Sequence, residues 1–192
     1  MPPLTMAWAY GVLVAVLVIA AVADVRTGKV PNWLTYPAIA AGLIGHTLVG
    51  GIQGDEEARL GLMGSLGGFA TGFLPLLAAF LAGGVGGGDA KLMGAVGALT
   101  GWRFALSAML LGFLAAALLA FVVMIKHRVL KRTLLRIGRF FLLALAPRGA
   151  MDPASPDSPK VPFGLGLCIG SAAALAEALA RGAGAVKWVL RI

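Results

Sequence analysis

Long stretches without a charged residue constrain the fold of this chain more than any other feature of its sequence. They cover residues 1–23, 30–54, 60–88, 104–125 and 161–176. A helix that crosses a membrane needs about 20 predominantly apolar residues, so four of these stretches are long enough on their own. Charged residues make up 12% of the chain, whereas soluble domains carry about 25%. The pattern predicts a polytopic membrane protein.

The expected fold is all-α, a single membrane domain over residues 1–192. The fourth helix is the weakest, because its uncharged run, residues 92–102, has only 11 residues. The sixth helix must include Glu177 to be long enough to cross. About six transmembrane helices are predicted, at residues 6–24, 34–53, 60–82, 89–102, 104–125 and 161–180.

A basic segment, residues 126–160, separates the last two predicted helices. Its first part, residues 126–147, combines basic and apolar residues at helical spacing, which is typical of an amphipathic helix on a membrane surface. A net charge of +8 would suit nucleic acid in a soluble protein. In a membrane protein we instead expect a cytoplasmic segment that contacts anionic lipids, with no nucleic-acid partner.

Lys and Arg residues are distributed unequally between the two sides of the predicted membrane. If the N-terminus is outside, the inner loops hold 11 of the 16 basic residues and the outer side holds 5. Because cytoplasmic loops carry an excess of Lys and Arg, the sequence predicts an N-terminus on the outside.

Two of the eight acidic residues are not explained by solvent-exposed loops or by the end of the sixth helix. Asp24 ends the first predicted helix, and Asp89 follows a glycine run, Gly86, Gly87 and Gly88. Two membrane crossings separate the aspartates, so both are predicted at the inner boundary of the bilayer. An ionisable residue at membrane depth is a candidate functional residue.

Two carboxylates that lie close together suit aspartic protease chemistry. They do not readily ionise together, so one keeps a proton while the other acts as a base toward water. Glycines 86–88 would permit close approach of a substrate backbone or a positive φ angle. One cysteine, Cys168, excludes an intramolecular disulfide and a Cys-rich zinc site, so we expect no metal and no cofactor.

Two segments resemble the motifs of the type IV prepilin peptidases, a family of GxGD membrane aspartic proteases. In DVRTGKVPNWLT, residues 24–35, an aspartate is followed by a basic residue and a Pro-Asn pair. In GGGDAKLMGAVG, residues 86–97, a Gly-x-Gly-Asp motif is followed by lysine. A third segment, KVPFGLGLCIG at residues 160–170, resembles the start of the family's late helix.

The resemblance implies an aspartic endopeptidase that removes the leader peptide from prepilins, at the cytoplasmic face of the bacterial inner membrane, for pilus assembly or secretion. It implies Asp24 and Asp89 as the catalytic pair. Motif support would come from Gly86, Gly87, Gly88, Lys91, Arg26, Pro31 and Asn32. Pro31 and Asn32 are expected to start the second helix. Lys91 is expected to anchor the chain at the membrane surface, and a contact with substrate or an aspartate is the alternative.

The chain begins directly at its first helix and has one cysteine. It therefore resembles the short, peptidase-only branch that serves Flp/Tad-type pili, and no methyltransferase activity is expected. Archaeal preflagellin peptidases share the aspartate chemistry and stay open as an alternative.

Two further classes of function fit membrane aspartates. A proton-coupled transporter would use them with a glycine-broken helix, although both lie at one face and no inverted repeat is visible. A non-catalytic subunit of a pilus or secretion assembly would tolerate the loss of either carboxylate.

Overall fold

The computed structural model describes residues 6–54, 60–126 and 163–181, and all regular structure in these ranges is helical. The six helices are α1 (Ala7–Thr27), α2 (Asn32–Gly50), α3 (Gly61–Leu81), α4 (Gly87–Thr100), α5 (Trp102–Lys126) and α6 (Phe163–Arg181). The all-α prediction is confirmed. Residues 127–160 of the basic segment, which include nearly all of the predicted amphipathic helix, fall outside the described residues.

Four of the helices, α1, α3, α5 and α6, are long and apolar enough to cross a membrane. The predicted count of about six spans is not confirmed. Helix α4 has 14 residues, and at 1.5 Å per residue it extends about 21 Å, less than the hydrocarbon core of about 30 Å. Helix α2 has 19 residues, but Asn32 and His46 lower its hydropathy.

The chain divides into two compact units, residues 1–116 with 162–192, and residues 117–161. Of the second unit the structure describes only residues 117–126, the final turns of α5. The first unit holds α1 to α4, the first part of α5, and α6.

Helix α4 is the core of the first unit. It packs against α1, α2, α3 and α6, and every side chain from Leu92 to Thr100 is buried. A helix that is apolar all round is stable only when it is surrounded, and the four neighbouring helices meet that need.

The buried C-terminal end of α4 has its carbonyl groups satisfied by polar side chains of two neighbouring helices. The Ser65 hydroxyl on α3 donates to the carbonyl of Ala98 at 2.6 Å. His46 on α2 bonds to the carbonyl of Leu99 through Nε2 at 2.8 Å. The last carbonyls of a helix have no partner within it, so these two side chains remove the cost of burying that end.

Glycines let α3 approach α4 at backbone distance. A Cβ added at Gly68 would overlap the carbonyl oxygen of Gly97 and come within 2.7 Å of the Cα of Gly101. A Cβ at Gly72 would lie 2.8 Å from the carbonyl carbon of Met93. Small residues at such contacts are the usual means of close helix packing in membranes.

This packing predicts different effects for two adjacent glycines of α3. Gly68→Ala should lower the free energy of unfolding by about 1–3 kcal/mol, because its methyl group meets backbone atoms that cannot move alone. Gly67→Ala is the matched control, since a Cβ there meets nothing within 4 Å. Thermal unfolding of the purified chains in detergent would measure both. Equal stability of the two variants would contradict the packing.

Candidate active site

Asp24 lies in the last turn of α1. The sequence predicted that α1 ends at this residue, but the helix continues for another turn to Thr27. Gly28 then ends it in the left-handed conformation, with φ of 64°, and donates its N–H to the Asp24 carbonyl at 2.8 Å. Glycine suits this position because it adopts positive φ without a Cβ clash. The cap fixes the backbone of Asp24, whose side chain is buried.

The Asp24 carboxyl group is held by a helix from the other end of the sequence. Its Oδ2 accepts a hydrogen bond from the backbone N–H of Leu165 at 2.7 Å. Leu165 lies in the first turn of α6, where N–H groups have no partner within the helix. A carboxylate at the C-terminal end of its own helix is disfavoured by the helix dipole, and the positive N-terminal end of α6 offsets this.

Asp89 lies in the first turn of α4, where the helix dipole favours a negative charge. Gly86 precedes the helix with extended backbone angles and accepts the Asp89 N–H at 3.1 Å. The Asp89 side chain is 9% exposed. The two aspartates therefore approach from opposite kinds of helix end, one C-terminal and one N-terminal.

Both carboxyl groups converge beside Gly164, in the first turn of α6. A Cβ added at Gly164 would lie 2.9 Å from Cγ of Asp24, 3.0 Å from its Oδ2 and 2.9 Å from Oδ1 of Asp89. Oδ2 of Asp24 and Oδ1 of Asp89 lie 3.0 Å and 2.9 Å from the same Cβ position, so these two oxygen atoms are at most 5.9 Å apart. The structure thus brings together two aspartates that are 65 positions apart in the sequence.

The three glycines before Asp89 leave room for neighbouring atoms, and none of them has a positive φ angle. Positive φ angles occur at other glycines among the described residues, not at Gly86, Gly87 or Gly88, so the expectation of positive φ was wrong. A Cβ at Gly88 would lie 3.0 Å from the carbonyl oxygen of Val30, between α1 and α2. A Cβ at Gly86 would lie 2.9 Å from Oδ2 of Asp89.

Lys91 joins α4 to the start of α2. Its Nζ donates to Oδ1 of Asn32 at 2.9 Å and lies 5.0 Å from the centre of the Tyr36 ring. As predicted, Pro31 and Asn32 start α2, with Pro31 as the residue just before the helix. Arg26 is exposed on the last turn of α1. The two motifs of the sequence therefore contact each other through Lys91 and Asn32.

Burial raises the pKa of Asp89. This residue lies outside the four helices that can cross a membrane. Loss of hydration and, after it, the nearby charge of Asp24 raise the pKa of Asp89 from 3.8 to about 6, while a backbone hydrogen bond from Gly86 works in the opposite direction. A carboxyl group shifted in this way can exchange a proton near neutral pH, which general acid–base chemistry requires.

The matching protein family agrees with these motifs. The model of the type IV leader peptidase family matches residues 11–122, more than half of the chain. The chain belongs to the type IV leader peptidase family. Comparisons with curated proteins and with solved structures found no match.

Membership in the type IV leader peptidase family implies a membrane peptidase of aspartic type with prepilin-type substrates. The matched region contains Asp24 and Asp89 but ends before α6. In the described part of the chain, no group of three or more His, Cys, Asp or Glu residues is placed to hold a metal ion.

Sequence reasoning did not identify Gly164 and Leu165 as parts of this candidate site. Their contact with Asp24 joins residues 141 positions apart, and no periodicity or charge pattern predicts such a contact. The signal present was the resemblance of residues 160–170 to the start of the family's late helix. That resemblance placed a helix there without showing what its first turn contacts.

Asp89 should give the folded peptidase a pH dependence that Asp89→Asn removes. The folded chain binds this proton more tightly than the unfolded chain, because the pKa is about 6 instead of 3.8. The resulting stability is fully present below about pH 4 and is lost as the pH rises through about 6. We expect the unfolding midpoint of the wild type to fall relative to Asp89→Asn between pH 4 and pH 7.

Thermal unfolding in detergent at a series of pH values would measure this difference. Parallel curves for the two proteins over that range would show that the Asp89 carboxyl is not held in the environment described.

Proposed function

We propose that this chain is an aspartic endopeptidase that cuts the leader peptide from prepilin-type precursors, with Asp24 and Asp89 as its catalytic pair. One observation carries the proposal: both buried carboxyl groups converge on the space beside Gly164. Two carboxyl oxygen atoms that are at most 5.9 Å apart can both contact one water molecule. Family membership supplies the reaction class.

In the proposed reaction one carboxyl group is the base and the other is the acid. Asp24 is the base, because its Oδ2 already accepts the Leu165 N–H and its Oδ1 is assigned to take the proton from water. Asp89 is the acid, because its environment favours the protonated form. The water oxygen forms a bond to the peptide carbonyl carbon while Asp89 gives its proton to the carbonyl oxygen.

The second step breaks the peptide bond. The tetrahedral carbon re-forms its carbonyl, the carbon–nitrogen bond breaks, and the nitrogen takes the proton that Asp24 removed from water. The proton on the former carbonyl oxygen returns to Asp89. The products are a leader with a new carboxylate and a pilin subunit with a new amino terminus, so neither metal nor cofactor is needed.

The proposed location is the cytoplasmic face of the bacterial inner membrane. It rests on the excess of Lys and Arg in the predicted inner loops, which puts the N-terminus outside and both aspartates inside. The basic segment at residues 126–160 is proposed to contact anionic lipids on that face. Flp/Tad-type prepilins are the proposed substrates, on the strength of the resemblance alone.

Conservative substitution of each aspartate tests the proposal. In liposomes holding the purified chain and a precursor with a basic leader before an apolar helix, Asp24→Asn and Asp89→Asn should each slow leader release by about 1,000-fold or more. The amide keeps the shape of the carboxylate but can neither accept nor donate the proton. Leader release is measured by the mass of the shortened product.

Asp157→Asn makes the same chemical change within the basic segment, residues 126–160, and this variant should cleave at the wild-type rate. A transporter or an assembly subunit would show no leader release from any of these proteins. Near-normal release by Asp24→Asn or Asp89→Asn would remove that residue from the catalytic pair.

A further inference from the structure

We propose that Gly164 is a positioning residue for the two aspartates. The first turn of α6 then completes a site whose other parts are the last turn of α1, with Asp24, and the first turn of α4, with Asp89. The proposal rests on the proposed function, because it assigns Gly164 a part in the same reaction. Helix α6 lies outside the region that matches the leader peptidase family, so neither the family match nor the two aspartate motifs assigns it a role.

The absent side chain of Gly164 is what leaves room for both carboxyl groups. The three atoms nearest to an added Cβ all belong to Asp24 and Asp89, at 2.9 to 3.0 Å. A methyl group at this point would occupy the space in which the two acids meet. Gly164 is also buried, so solvent does not provide another place for a side chain.

A backbone N–H group in the same turn of α6 orients Asp24. The N–H of Leu165 holds Oδ2 of Asp24 at 2.7 Å. The Phe163 ring lies 6.0 Å from the ring of Phe113 on α5, which contributes to fixing where α6 begins. Helix α6 therefore both fixes the carboxyl group of Asp24 and leaves the space through which it faces Asp89.

Two other glycines of α6 have a different role, and this difference makes the proposal testable. A Cβ at Gly166 would lie 2.7 Å from the Cα of Ala116, and a Cβ at Gly170 would overlap the backbone of Gly112. Those positions are closed by the backbone of α5, which cannot move without shifting the helix. At Gly164 the neighbours are the ends of side chains, which can rotate away.

A substitution at Gly164 should therefore change the rate of catalysis without changing the stability of the fold. Gly164→Ala should leave the fold intact, because Asp24 and Asp89 can turn aside for the methyl group. It should nevertheless displace both acids from the geometry that they share. Displacement of a reacting group by about 1 Å costs about 100-fold in rate. Gly166→Ala should instead lower the thermal stability of the protein.

The experiment compares Gly164→Ala, Gly166→Ala and the wild type as full chains in liposomes, with the same precursor peptide. We expect Gly164→Ala to lower kcat about 100-fold while KM changes less than about threefold and the unfolding midpoint stays near that of the wild type. Gly67→Ala, in open space on α3, controls for the change from glycine to alanine itself.

A second measurement does not depend on cleavage. With Cys168 replaced by Ala, the variant Asp24→Cys, Asp89→Cys holds the only two thiols of the chain, and a short bifunctional thiol reagent should join them. Adding Gly164→Ala should reduce this cross-linking several-fold. If the wild type cleaves no precursor, the proposed function fails, and the cross-linking alone then decides the role of Gly164.

Three results would overturn the inference. They are an unchanged kcat for Gly164→Ala, an unfolding midpoint that falls as far as that of Gly166→Ala, and cross-linking that does not respond to Gly164→Ala. The first would show that the space is not used in catalysis, the second that Gly164 serves packing, and the third that the two side chains do not meet beside it.

Discussion

Two buried carboxyl groups that share the space beside Gly164 are the constraint on which the rest of this structure depends. Burying one carboxylate is unfavourable, and burying two close together adds their repulsion. The structure offsets part of this cost with helix ends. Asp89 lies at the N-terminal end of α4, and Asp24 faces the N-terminal end of α6 through the Leu165 N–H. These N-terminal ends offset part of the cost of burial, although Asp24 also lies at the unfavourable C-terminal end of α1.

The position of Asp89 in turn depends on α4, which is too short to cross a membrane alone and is surrounded by longer helices. Its C-terminal carbonyl groups are held by Ser65 and His46, and glycines of α3 allow contact along its length. A helix held in this way at its far end presents its first turn at a fixed place. Rigid support of this kind is what a site for general acid–base chemistry needs, because proton transfer depends on distances of about 3 Å.

Much of this arrangement follows from the sequence. The uncharged stretches predict helices within a few residues of those observed. Asp24 and Asp89 can be identified from the sequence, because a carboxylate at membrane depth is energetically costly and is therefore a candidate functional residue. Two features could not be predicted in the same way. The number of spans is not confirmed, because the pattern of residues 89–102 predicts a short apolar helix whether that helix faces lipid or protein. The contact of α6 with Asp24 depends on tertiary packing, which local patterns do not encode.

The central claim is that Asp24 and Asp89 act as one catalytic unit, and a double-mutant comparison of leader release tests it most directly. When two groups act as one unit, removal of either group already abolishes their joint contribution to the rate. The double variant Asp24→Asn, Asp89→Asn should therefore release leader about as slowly as either single variant. The measurement is the rate of leader release by each purified full chain at equal protein and substrate concentrations. Losses that multiply in the double variant would contradict the account, because they would show that the two aspartates contribute independently.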